Sequence, residues 1–120
     1  MVVGRTGDDV LQVYNDAPSG RLIICANEPF VRANLQMVLE SENILCTQLV
    51  TSCTDVDLKD FVLSSGVLIA HESFILGDID LSACSSILFF DPPSSRQVKV
   101  QIMSAIDRPG QVHPIAIYET

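Results

Sequence analysis

Apolar residues in this chain come in short blocks separated by polar, glycine- and proline-bearing segments, and the period of the blocks alternates. Residues 21–26 (RLIICA) are short, rich in β-branched side chains and apolar on both faces, the pattern of a strand buried on both sides. From Pro29 the period changes: Val31, Leu35, Val38 and Leu39 recur at i, i+4, i+7 and i+8. That predicts a helix to about Glu42, capped by Asn27 with Pro29 in its first turn. Residues 44–50 (ILCTQLV) predict the second strand. An acidic cap at 54–57 opens a helix to Leu63, which Gly66 ends. Residues 67–70 (VLIA) predict the third strand, followed by a loop over 71–82 with one helical turn at 72–76. Residues 86–90 (SILFF) predict the fourth strand, stopped by Asp91-Pro92-Pro93. Ser94 or Ser95 then caps a helix to about Ile106 with Val98, Ile102 and Ala105 inward, and residues 114–118 (PIAIY) close the pattern as the last strand.

Strands alternating with helices imply right-handed crossovers and a mostly parallel sheet of about five strands. The predicted fold is a three-layer, doubly wound α/β domain over 21–120. Residues 1–20 form an N-terminal extension, with a short helix or turn at 8–14 packing onto that domain.

A length of 120 residues is one domain with room for a sizeable core, and a 48% hydrophobic content excludes disorder. The longest apolar runs are far too short to span a bilayer, so no membrane partner is expected. The net charge of −8, from 15 acidic and 7 basic side chains, argues against non-specific binding to phosphate backbones. The four cysteines, Cys25, Cys46, Cys53 and Cys84, form no CxxC pair and no zinc spacing with histidine, so buried thiols and no metal are expected. No secretory signal is present, and the chain reads as a cytosolic or nuclear domain cut from a longer protein.

In such folds function gathers at the carboxyl ends of the strands. Here those ends carry Asn27-Glu28, Thr51-Ser52, His71-Glu72, Asp91-Pro92 and Glu119, with carboxylates and no cluster of cations. His71-Glu72 is the one neighbouring His-carboxylate pair, but no nucleophile elbow accompanies it. Asn27, Glu28 and Asp91 carry oxygens of the kind Mg²⁺ takes, and caps and loop hydrogen bonds are their simpler use. No phosphate-loop or dinucleotide fingerprint is present, and no cofactor is expected.

From Val67 to Gln111 the order VLIA-HES-FILGDIDLS-ACSS-ILFFDPP resembles the C-terminal RecA-like lobe of superfamily 2 RNA helicases of the DEAD-box type. In that family a strand ending in Thr-Asp leads to A-R-G-x-D, then a strand of type V-I-N-Y-D-x-P and a helix bearing H-R-x-G-R-x-G-R. Gly77 matches the family glycine and Asp80 its aspartate after one extra residue, and Ser82 to Asp91 keeps the family's spacing. His71-Glu72 replaces Thr-Asp, and Leu76 replaces an arginine. Aligned without gaps, Ile102 and Ala105 stand where the first two arginines of the last helix belong, and only Arg108 and Gly110 survive. Those arginines would neutralise charge on the ATP γ-phosphate, so the resemblance implies a fold without ATPase or unwinding activity.

A degenerate lobe of this kind resembles those of Tudor-domain helicases of the piRNA pathway. That implies a non-catalytic module mediating self-association of an RNA-silencing scaffold, in a cytoplasmic, perinuclear ribonucleoprotein granule with other proteins. The expected partner is a second copy of the chain, meeting an apolar surface drawn from Phe30, Met37, Phe74, Val100 and Met103. Arg96 and Lys99 share a helix face at i, i+3 and are expected to gather with Arg108 near one edge, but three cations against an overall −8 predict weak or absent RNA binding. The alternative expectation is a pseudo-receiver signalling domain: Asn27-Glu28 resembles a receiver's acidic start, although its phosphorylatable Asp and its Lys have no counterpart here.

Overall fold

A computed structural model of the chain describes residues 7–16, 21–49, 66–75, 84–107, 109 and 114–120. The strand β1 (Arg21–Cys25) lies at the centre of a five-stranded sheet. It pairs in parallel with β3 (Gly66–Ala70) on one side and with β4 (Ser86–Phe89) on the other. The edges are β2 (Cys46–Leu49) and β5 (Ala116–Glu119), giving the order β2-β3-β1-β4-β5 with every pair parallel. The α/β fold predicted from the alternation is therefore present.

The sheet order corrects the pseudo-receiver alternative. A receiver places its first strand between the second and third, in the order 2-1-3-4-5. Here β1 separates β3 from β4, and among the described strands β2 pairs only with β3.

Register sorts the core into two layers. Ile23 aligns with Leu68 and Ile87, and these point to one face. There α4 (Arg96–Ile106) covers them with Ile102, Ala105 and Ile106. Ile24 aligns with Ile69 and Leu88 and points to the opposite face, which α2 (Pro29–Ser41) covers with Leu35 and Leu39. On that same face α1 (Gly7–Asp16) buries Val10 and Val13. Each such fully buried aliphatic side chain stabilises the fold by about 1.5–3 kcal/mol before the entropy of ordering it is counted.

Several boundaries differ from the pattern, each for a local reason. Glu28, not Asn27, is the residue before α2, and its side chain makes no capping bond. The second strand begins at Cys46 because the backbone of Ile44 closes the end of α2. Asn43 adopts φ +60°, its N–H donates to Glu40 O at 3.0 Å, and the Ile44 N–H donates back to Leu39 O at 3.0 Å. This double closure terminates the helix and turns Ile44 onto Leu39. Gly66 opens β3 with φ +151°, and a Cβ there would lie 2.6 Å from the Leu45 carbonyl oxygen. The helix predicted over 54–63 lies outside the described residues. The turn predicted at 72–76 is the single-turn helix α3 (Glu72–Ile75). Ser95 caps α4: its Oγ accepts from the Val98 N–H at 3.1 Å. The last strand starts two residues after Pro114, where the Ala116 N–H reaches Ser85 O at 2.7 Å.

Candidate functional site

The carboxyl edge of the sheet is held by its own polar groups. The Asn27 N–H donates to Asp91 Oδ2 at 2.8 Å, and Asn27 Oδ1 accepts from the Glu72 N–H at 3.2 Å. Glu72 Oε2 in turn accepts from the Ser94 N–H at 3.1 Å. These bonds tie the segments following β1, β3 and β4 into one chain. Asn27 thus bridges loops, where the pattern predicted a helix cap. His71 and Glu72 diverge: His71 Nδ1 accepts from the Ser73 N–H at 3.0 Å, and so caps α3, while Glu72 reaches the loop before α4. The oxygens of Asn27 and Asp91 serve these bonds. Among the described residues no group of three or more His, Cys, Asp or Glu gathers as a metal site.

Two cations enter this edge, where the sequence pattern suggested carboxylates alone. Arg32 is buried and donates from Nη1 to Ala26 O at 2.8 Å. Lys99 pairs with Glu119 and lies 5.6 Å from the centre of the Phe89 ring. The hydrogen bond and charge of Lys99 hold the Glu119 carboxyl below its ordinary pKa. Arg32 was detectable in the sequence. It stands three residues before Leu35 and seven before Leu39, on the buried stripe of α2.

Of the helicase-like positions, His71, Glu72 and Asp91 stand at the carboxyl edge described above, and the rest divide between core and undescribed chain. Ile102 and Ala105 are 0% and 2% exposed and pack with Ile23, Leu68, Ile87 and Phe89. Gly77, Asp80, Arg108 and Gly110 lie outside the described residues, as does the side chain of Phe74. Burial pushes the Cys84 thiol up to about 12 and the Cys46 thiol to about 11, and raises that of Cys25 further.

The remaining candidates occupy two separate faces. Phe30 and Met37 project from α2 at 82% and 69% exposure. Val100, 59% exposed, and Met103, half-buried, lie across the sheet on α4. There they line a groove of about 450 Å³ with Arg96, Lys99, Asp107 and Ile115. Leu45, 66% exposed before β2, is a further apolar surface residue that the sequence pattern assigned to a strand.

No family model and no curated protein matches the sequence. Solved structures do match in fold. The C-terminal part of the Fun30 ATPase domain superposes with a TM-score of 0.79 at 16% identity, covering 93% of this chain and 39% of that one. The C-terminal domain of the DEAD-box protein Dbp5 gives 0.73 at 18% identity, covering 99% and 73%. The RNA-helicase Prp28 from Chaetomium thermophilum bound to ADP gives 0.76 at 16% identity, covering 100% and 31%. The chain thus spans about two fifths or less of the Fun30 and Prp28 chains. At these identities the likeness is one of fold: the chain has a RecA-like α/β fold similar to those C-terminal domains.

Proposed function

We propose that this chain is a non-catalytic, helicase-C-like interaction module through which a larger RNA-silencing scaffold associates with itself. The observation that carries the reading is the burial of Ile102 and Ala105, 0% and 2% exposed. In the helicase resemblance these are arginine positions that answer the charge of a γ-phosphate. Here both side chains belong to the core under α4, and neither faces solvent.

Self-association draws its support from the exposed apolar side chains Phe30, Met37, Leu45 and Val100. The charge of −8 confines like charges to the rim of such an interface. In the cell the scaffold would reside in a cytoplasmic granule with other ribonucleoprotein components, this domain contributing protein contacts and little RNA affinity.

Two measurements test the reading. Sedimentation equilibrium of the chain should show a dimer or higher species at micromolar concentrations; a monomer up to high micromolar concentration would remove self-association. Phosphate release with ATP and RNA should stay at background, and turnover that disappears in Arg108→Ala would overturn the non-catalytic half.

A further inference from the structure

We infer that the second copy of this chain docks through α4, with the two α4 helices antiparallel across a two-fold axis near Val100 and Met103. This rests on the self-association reading and names its surface. Arg96, Val100, Met103 and Asp107 recur at i, i+4, i+7 and i+11, so they form one stripe along the helix, and all four line the groove beside β5. The stripe is basic at its amino end, apolar in the middle and acidic at its carboxyl end. Its charged ends lie about 16 Å apart at the rise of an α-helix.

Such a stripe is self-complementary in one orientation. A two-fold interface apposes the same patch on both copies, so residue i meets j and j meets i. In the antiparallel arrangement each Arg96 faces the other copy's Asp107, and Val100 and Met103 meet their equivalents between them. A parallel arrangement would set arginine against arginine.

A second observation points the same way. Arg96 is the first residue of α4 and Asp107 its C-cap, while the helix has no acidic residue in its first turn and no basic residue in its last. Each charge therefore opposes the macrodipole of its own helix. Beside an antiparallel partner each approaches a helix end of favourable sign. Among the described residues neither side chain forms an ion pair. Lys99 is already paired with Glu119 and forms a wall of the groove.

The experiment is a charge-reversal exchange on the full chain. Arg96→Glu and Asp107→Lys should each weaken self-association on the order of tenfold or more, since each sets like charges together at both ends of the interface. Mixed in equal amounts, the two variants should form a heterodimer with wild-type-like affinity, because both contacts are then oppositely charged. Both substitutions oblige the helix dipole, so thermal melts should show no loss of folding. Sedimentation velocity and native mass spectrometry read the result. If the wild type associates but the single variants associate equally well, or their mixture stays monomeric, the α4 surface is wrong while self-association stands. A wild type that is itself monomeric overturns both.

Discussion

The backbone N–H of Asn27, two residues beyond β1, donates to the carboxylate of Asp91, two residues beyond β4, at 2.8 Å. Asp91 also sends its own N–H to Cys25 O at 3.2 Å, so one residue grips the end of β1 twice. With the bonds from Asn27 to Glu72 and from Glu72 to Ser94, this edge works as a clasp on the loops. Asp91→Ala should lower stability by about 1.5–3 kcal/mol, the range for a hydrogen bond to a charged acceptor. Asp91→Asn keeps an acceptor and should lose less. Urea denaturation checks both: the midpoint should fall at constant m-value, and equal losses in the two variants would refute the clasp.

At the opposite edge, Gly66 is required by backbone approach. A Cβ at 2.6 Å from the Leu45 oxygen must displace a carbonyl that accepts the Val67 N–H at 2.9 Å, and φ +151° disfavours any L side chain. Gly66→Ala should cost about 2–4 kcal/mol, well beyond the usual benefit of removing a glycine from the unfolded chain. An unchanged melting temperature would contradict this.

Asn43 offers the converse case. It already tolerates φ +60°, and the closure of α2 needs that conformation, not its side chain. Asn43→Gly should stabilise the domain by a few tenths to about 1 kcal/mol, while Asn43→Val should destabilise it by about 1–2 kcal/mol. The sign of the difference between the two, from paired thermal melts, is the test.

These positions also show what a pattern of residues conveys. Strands β1, β3 and β4 were legible because burial on both faces demands uninterrupted apolar runs, and α4 because its Ser95 cap and its Ile102 and Ala105 obey helical spacing. Ile44 reads as strand because it opens the apolar-rich run ILCTQLV, whereas the helix closure at Asn43 claims it. Asn27 reads as a cap because capping is a local use of asparagine; its bonds, to Asp91 and Glu72, join residues 64 and 45 positions away. The groove beside α4 is half visible in the sequence: Val100 and Met103 fall off the Val98/Ile102 stripe of their helix. Their separation from Phe30 and Met37 depends on which helix covers which face, which periodicity along one helix does not contain.

Burial sets the order of thiol reactivity. The thiolate is the nucleophile, and the thiol pKa rises on folding to about 11 for Cys46 and about 12 for Cys84. Raised values favour the protonated form, so at pH 8 half-buried Cys46 should be modified by a disulfide reagent before Cys84 and Cys25. The same shifts link stability to pH. Groups whose pKa rises on folding contribute stability that is complete below their unfolded value near 9 and declines as pH climbs toward the folded values. Urea midpoints should therefore fall between about pH 9 and 11, and fall less steeply in Cys84→Ala. A rise over that window would show the sign to be wrong.

Placing an arginine at position 102, where the helicase resemblance expects one, tests whether this is a core position. Ile102 is fully buried among Ile23, Leu68, Ile87 and Phe89. Ile102→Val removes one methyl group and should cost about 0.5–1.5 kcal/mol. Ile102→Arg places an unpaired guanidinium in that core and should cost more than about 4 kcal/mol, a large share of the 5–15 kcal/mol that typically separates folded from unfolded states. Val100→Arg, two residues earlier but exposed, should change stability by no more than about 0.5 kcal/mol. Circular dichroism melts on the three variants decide the matter. An Ile102→Arg variant as stable as the wild type would mean that this side chain has a route to solvent, and the case for a module without nucleotide chemistry would lose its main support.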